Sequence, residues 1–150
     1  MDEGSKVPDV TVTIDDAPVS LANLGTPLVV YFYPKDDTAG CTTEAKDFTA
    51  LANDFAAAGV TVVGVSKDTP AAHAKFTAKH ALAVQLASDV DGAACEAFGV
   101  WVEKAMYGRK YMGIERATFL FGADGTLAKT WRKVRVAGHA DAVLATAKAL

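Results

Sequence analysis

The sequence predicts an α/β sandwich, a central mixed β-sheet flanked by helices on both faces. Three observations carry that expectation. Residues 27–33 (PLVVYFY) and 60–65 (VTVVGV) are continuous apolar runs of strand length, the pattern of strands covered on both sides. Apolar residues at helical spacing follow the first run, and a helix-start signal follows the second. Asp124-Gly125 separates two further strand-like runs, a hairpin signal that makes the sheet mixed.

In chain order, residues 10–14 alternate and are β-branched, which predicts a strand. The run 27–33 ends at Pro34, and the polar and small residues Lys35 to Gly40 lead to Cys41. A helix is expected from about Cys41. Ala45, Phe48, Leu51, Ala52 and Phe55 form its apolar face, with Lys46, Asp47 and Asn53 outward and Gly59 as its stop. After the strand 60–65, Thr69 as N-cap and Pro70 at the first helical position open a helix running to about His80. Residues 84–86 read as a short strand. Asp91-Gly92 turns into a short helix over residues 93–98, which carries Cys95. Residues 117–121 and 126–132 form the hairpin, and Gly138-His139 starts a last helix, apolar at Ala142, Val143, Leu144 and Ala147. No repeat, linker or charge block interrupts the chain, so one domain over residues 1–150 is expected.

Composition narrows the function classes. The 150 residues are 51% hydrophobic and 22% charged, which supports a real core and excludes a chain disordered throughout. The net charge of −3 leaves no overall basic footprint for nucleic acid. No apolar run approaches the roughly 20 residues of a membrane-spanning helix. Met1 to Lys6 is acidic and polar, without the apolar region of a secretory signal, so a cytoplasmic location is expected. Two cysteines, Cys41 and Cys95, make no disulfide scaffold. His73, His80 and His139 are scattered and show no ligand spacing, so no metal is expected, and His73 and His80 read as part of a solvated helix face.

Cys41 is the residue with chemistry in reach. It stands between a buried strand and the start of a helix, where unpaired backbone N–H groups and the positive end of the helix dipole favour a thiolate. Position alone leaves two readings open, an activated nucleophile or a small buried hydrophobe. The neighbours separate them. Pro34, Thr38 and Cys41 form P-x-x-x-T-x-x-C, which resembles the peroxiredoxin active site. The longer stretch YFYPKDDTAGCTTEAKDF (Tyr31 to Phe48) is similar to the peroxiredoxin Q group, also called bacterioferritin comigratory proteins. Gly99-Val100-Trp101, the run MYGRKYMGIERATFLF (Met106 to Phe121) and the final helix continue the resemblance over nearly the whole chain.

The resemblance implies a thioredoxin-like fold and a thiol-dependent peroxidase that needs no cofactor. Cys41 would be the peroxidatic cysteine, attacking one oxygen of a hydroperoxide and becoming a sulfenic acid. Thr38 would donate to the peroxide or hold the thiolate, and the Cys41 N–H would donate to the peroxide. Arg116, just before the run ATFLF, would stabilise the thiolate and orient the substrate. Pro34 would shield the thiolate, and Glu44 would orient Arg116. Taken singly, each has an ordinary role: loop hydroxyl, strand end, surface charge, helix-dipole partner.

Many members of the group carry a resolving cysteine five residues after the first, where this chain has Lys46. A second subtype places it in the region of Cys95. Cys95 would then attack the Cys41 sulfenic acid to form an intramolecular disulfide, recycled by thioredoxin, with glutaredoxin or glutathione as other reductants. Two cysteines in separate helices would need local unwinding to meet. The Ala-rich helix DGAACEAF, poor in large anchors, is expected to open cheaply. The alternatives are a one-cysteine peroxidase with Cys95 as a buried helix residue, or a redox-sensing or interaction module without turnover. A disulfide oxidoreductase would want Cys-x-x-Cys, but Cys41-Thr42-Thr43-Glu44 has only the first cysteine. A cysteine hydrolase would want a partnered histidine in a recognisable motif. Basic and aromatic residues from Trp101 to Arg116 read as a loop and edge segment that delivers Arg116 rather than as a nucleic-acid site. Phe98, Trp101 and Tyr107 are candidates for an apolar pocket that takes an alkyl tail. The resemblance favours a monomer, with a weak dimer as the runner-up.

Overall fold

Every residue of Leu28–Phe32 (β3) is buried, as its unbroken apolar sequence requires, and this strand is the middle of the architecture. The computed structural model describes residues 1–150. On one side β3 pairs in parallel with β4 (Thr61–Ser66), which pairs in parallel with β5 (Gln85–Ser88). On the other side it pairs antiparallel with β8 (Ala117–Phe121), which pairs with β9 (Leu127–Trp131) across the Asp124-Gly125 turn. β1 (Thr11–Ile14) joins β5 antiparallel, and β2 (Ala17–Ser20) forms the edge. The order β2-β1-β5-β4-β3-β8-β9 is the expected mixed sheet.

Alternation along β3 divides the core in two. Val29, Tyr31 and Tyr33 face a layer made by α1 (Ala39–Ala50), α2 (Ala52–Ala57), α3 (Pro70–His80) and α5 (His139–Lys148). Phe48, Phe55, Phe76 and Val143 fill that layer, and Cys41 belongs to it. Leu28, Val30 and Phe32 face the opposite side, which holds Val63, Val65, Phe98, Phe119 and Phe121. The short α4 (Ala93–Ala97) lies there and brings Cys95 into that second layer. Burying each large aromatic contributes about 2–3 kcal/mol before entropy is counted. No helix is long and apolar enough to cross a membrane.

Three local features differ from the sequence expectation. The helix after the first apolar run is two helices: its amide ladder breaks at Leu51, whose N–H is shared by the carbonyls of Asp47 and Phe48. The redirected chain packs Phe55 against Phe48, ring centroids 5.9 Å apart. Strand β2 was hidden by Pro18, which an edge strand tolerates because its N–H side needs no partner. Asp15 and Asp16, both at positive φ, make the two-residue hairpin turn that pairs Ile14 with Ala17. Residues Trp101–Met106 (β6) and Arg109–Ile114 (β7) form a separate two-stranded hairpin rather than a loop, with Tyr107-Gly108 as another positive-φ turn. At α3 the expectation holds: Thr69 Oγ1 accepts from the Ala72 N–H at 3.2 Å, and Pro70 occupies the first helical turn.

Candidate active site

Thr38 has extended backbone and is the N-cap of α1, so the helix starts two residues ahead of Cys41. Cys41 sits in the first turn, 2% exposed. The Thr42 N–H closes the first helical bond onto the Thr38 carbonyl at 2.8 Å. The amides of Ala39, Gly40 and Cys41 precede that bond and have no acceptor within the protein. Three free N–H groups and the positive end of the helix dipole therefore belong to the turn that carries the sulfur.

Arg116 completes the site from the other end of the sequence. It lies between β7 and β8, and its Nη2 donates to Cys41 Sγ at 3.3 Å while Nη1 donates to Glu44 Oε1 at 2.7 Å. Glu44 is one turn beyond the cysteine on α1 and is 1% exposed. Burial pushes its carboxyl up to about 7, against the opposing pull of Arg116. Burial also works against the Arg116 charge, but Glu44 and Cys41 more than offset it and hold the guanidinium protonated. Gly40 makes room for the approach, since a Cβ there would stand 3.1 Å from Arg116 Nη2.

Thr38 and Pro34 are both exposed, in the loop that leads from β3 to the cysteine. Thr38 Oγ1 donates to the Lys35 carbonyl at 2.9 Å and caps no helical amide, which leaves its lone pairs free to accept. Pro34 is exposed and follows Tyr33, whose N–H donates to Val65 across the end of the sheet. The loop between them is pinned by a buried cluster that sequence reasoning missed. Asp36 accepts from Tyr33 Oη at 2.6 Å and pairs with His73 Nδ1 at 2.6 Å, and His73 Nε2 donates to the Ala87 carbonyl at 3.0 Å. The Asp36 N–H donates to Asp68 at 2.9 Å, and Ser66 Oγ donates to the same Asp68 oxygen at 2.6 Å.

The histidines correct the sequence reading. His73 is 6% exposed, inside the cluster, and His80 pairs with the exposed Asp37 at 2.9 Å. They share one face of α3 with Phe76, at positions i, i+3 and i+7, so the signal was present as helical spacing. Asp36, Asp68 and His73 come close enough to hold a cation, but their polar atoms already bond to one another and to the backbone. His139 is also buried, against Thr118 at 2.8 Å, and burial, with Arg116 nearby, pushes it down to about 4.

Cys95 is fully buried on the far side of the sheet from Cys41. Its helix is less loosely held than its small residues suggest. Phe98, the residue after α4, packs 4.9 Å from both Phe32 and Phe119. Burial, then the hydrogen bond and negative charge of Asp89, push the Cys95 thiol well up. The suggested apolar pocket is not assembled: Phe98 is core, Trp101 is half-buried and Tyr107 is 98% exposed at the hairpin tip.

Comparison with known proteins agrees with this geometry. The AhpC/TSA family model matches residues 4–130. Peroxiredoxin Bcp of Xanthomonas campestris pv. campestris is 55% identical over 128 residues, 85% of this chain and 80% of that protein. Peroxiredoxin Bcp of Bacillus subtilis is 45% identical over 147 residues, 97% and 94% of the two chains. A solved structure of the Xanthomonas campestris bacterioferritin comigratory protein, studied for alkyl peroxide reduction in trapped intermediate and ligand complexes, superposes with a TM-score of 0.91. It is 46% identical and covers 99% of this chain and 98% of that one. With a thioredoxin-like sheet, a buried cysteine in the first turn of α1 and an arginine donating to its sulfur, the chain belongs to the AhpC/TSA family, and within it to the peroxiredoxin Q/Bcp group of thiol peroxidases.

Proposed function

We propose that Cys41 is the peroxidatic cysteine of a peroxidase acting on hydrogen peroxide and organic hydroperoxides. The observation that carries this is the 3.3 Å contact from Arg116 Nη2 to Cys41 Sγ beside three unpaired amides of α1. The thiolate attacks the nearer peroxide oxygen, the O–O bond breaks, and the distal oxygen leaves as hydroxide or alkoxide. Negative charge spreads over sulfur and both oxygens, where the Cys41 N–H and the Arg116 fork stand as preorganised donors, and the Thr38 hydroxyl joins them once its proton turns from the Lys35 carbonyl. Glu44 fixes the fork, and Pro34 limits water at the sulfur. Organic substrates are in keeping with the alkyl peroxide reduction studied in the Xanthomonas relative.

Cys95 then resolves the sulfenic acid as an intramolecular disulfide, and thioredoxin returns both cysteines to thiols. The chain works as a monomer, as a single domain over residues 1–150, in the cytoplasm, where the thioredoxin system keeps thiols reduced. The burial of Cys95 on the opposite face favours a second reading, a one-cysteine cycle with an external thiol.

Hydroperoxide turnover coupled to thioredoxin, thioredoxin reductase and NADPH tests both, for the parent chain, Cys41→Ser and Cys95→Ser. Loss of turnover in both variants, with one fast oxidation surviving in Cys95→Ser, is the expected result. Full turnover in Cys95→Ser selects the one-cysteine cycle. An inactive parent with every thiol reductant overturns the peroxidase assignment for this chain.

A further inference from the structure

Asp89 is 1% exposed at the end of β5, and both oxygens of its carboxylate serve one short helix. Oδ1 accepts from the Ala94 N–H at 3.0 Å, and Oδ2 accepts from the Cys95 N–H at 2.9 Å. Its backbone is tied on both sides. The Asp89 N–H donates to the Ser66 carbonyl at 2.8 Å, and its own carbonyl accepts from the Gly92 N–H at 3.0 Å. The helix it holds is only five residues long, so these two side-chain bonds satisfy a large share of its free N-terminal amides. The opposing charge nearby is Lys67, which lies over the Trp101 ring at 4.3 Å and packs beside Gly92.

We propose that Asp89 is the positioning residue of the resolving step. Its carboxylate clasps α4 shut in the reduced chain, and it must release the Ala94 and Cys95 amides before Cys95 can pass the sheet to Cys41. The proposal rests on the reading of Cys95 as the resolving thiol. In that step the Cys95 sulfur attacks the sulfenic sulfur of Cys41. An S–S bond forms, the S–O bond breaks, and the hydroxyl leaves with the thiol proton as water. While the clasp is closed, Cys95 is both buried and kept as a thiol by the adjacent carboxylate. Opening α4 removes both restraints at once. Phe98 anchors the same segment through apolar contact, and Asp89 supplies its polar half.

The test uses the full reduced chain with Asp89→Ala and Asp89→Asn, the latter keeping one acceptor oxygen. Iodoacetamide labelling of Cys95, followed by mass, is expected to run about tenfold faster in Asp89→Ala and at an intermediate rate in Asp89→Asn. Labelling and first oxidation of Cys41 stay at parent values. Because the clasp stabilises only the dithiol form, a tenfold change in its equilibrium makes the Cys41/Cys95 midpoint potential about 30 mV more negative. Destabilisation common to both redox forms would leave that potential in place. Unchanged Cys95 labelling, or an unchanged potential, in a chain that still forms the disulfide overturns the proposal alone. Faster labelling with no disulfide after peroxide overturns the resolving reading and the proposal with it.

Discussion

Arg116 Nη2 reaches the sulfur of Cys41 at 3.3 Å, although the two residues stand 75 positions apart. The other arm of the same guanidinium holds Glu44, three residues beyond the cysteine, at 2.7 Å. One planar fork thus fixes the sulfur and the carboxylate on α1 together, a geometry that a point-charged ammonium cannot reproduce.

Arg116→Ala is therefore expected to slow the single-turnover oxidation of Cys41 by roughly 10²–10³-fold, the cost of removing a preorganised donor. Arg116→Lys should recover only a small part of it. Stopped-flow oxidation with hydrogen peroxide reads both, and a lysine variant at the parent rate would refute the bidentate role.

Two buried groups give stability opposite pH dependences. The Glu44 carboxyl is raised from 4.5 to about 7 by burial, so the folded chain holds the extra proton. Its contribution is full below pH 4.5 and is lost as pH rises through 7. His139 is lowered from 6.5 to about 4, again by burial first, so its contribution is full above pH 6.5 and is lost as pH falls through 4. Between pH 4.5 and 6.5 the two slopes oppose. Relative to the parent, Glu44→Gln should gain stability across that window and His139→Gln should lose it, each on the order of 2 kcal/mol. Urea unfolding at the two ends measures it; parallel curves for all three chains would contradict the assignment.

Asp36→Ala removes the acceptor of Tyr33 and His73 from a buried site. The expected loss is about 3 kcal/mol of folding stability, because His73 and Tyr33 are left with buried unpartnered groups. Cys41 oxidation should slow as well, since the same residue pins the loop that carries Thr38. Equal stability of variant and parent by chemical denaturation would show that the cluster contributes nothing.

Gly64 lies under the ring of Tyr31, and a Cβ there would stand 2.5 Å from Tyr31 Cζ. That ring is fully buried and stacked on Phe48 of α1 at 4.5 Å, so it has nowhere to move. Gly64→Ala should cost about 1–3 kcal/mol through overpacking and should disturb the helix that bears Cys41. A thermal unfolding midpoint matching the parent would argue against it.

The parts of this protein that are legible in its sequence are those encoded locally. Buried strands announce themselves as apolar runs such as Leu28 to Phe32, and Thr69-Pro70 marks a helix start by its own capping chemistry. Cys41 at the strand-to-helix junction and the P-x-x-x-T-x-x-C pattern are local in the same sense. Strand β2 and the β6–β7 hairpin were obscured because Asp-Asp and Tyr-Gly are weaker turn signals than Asn-Gly or Asp-Gly.

Tertiary structure alone decided which distant groups meet. Nothing near His73 in sequence names Asp36 and Ala87 as its partners. The placement of the two cysteines is the clearest case. Side-chain alternation along one central strand sends Tyr31, and Cys41 packed with it, to one face, and Phe32, with Cys95, to the other. Periodicity tells which residues are inside, but the sheet order and the helix crossings determine which side of the sheet each one occupies.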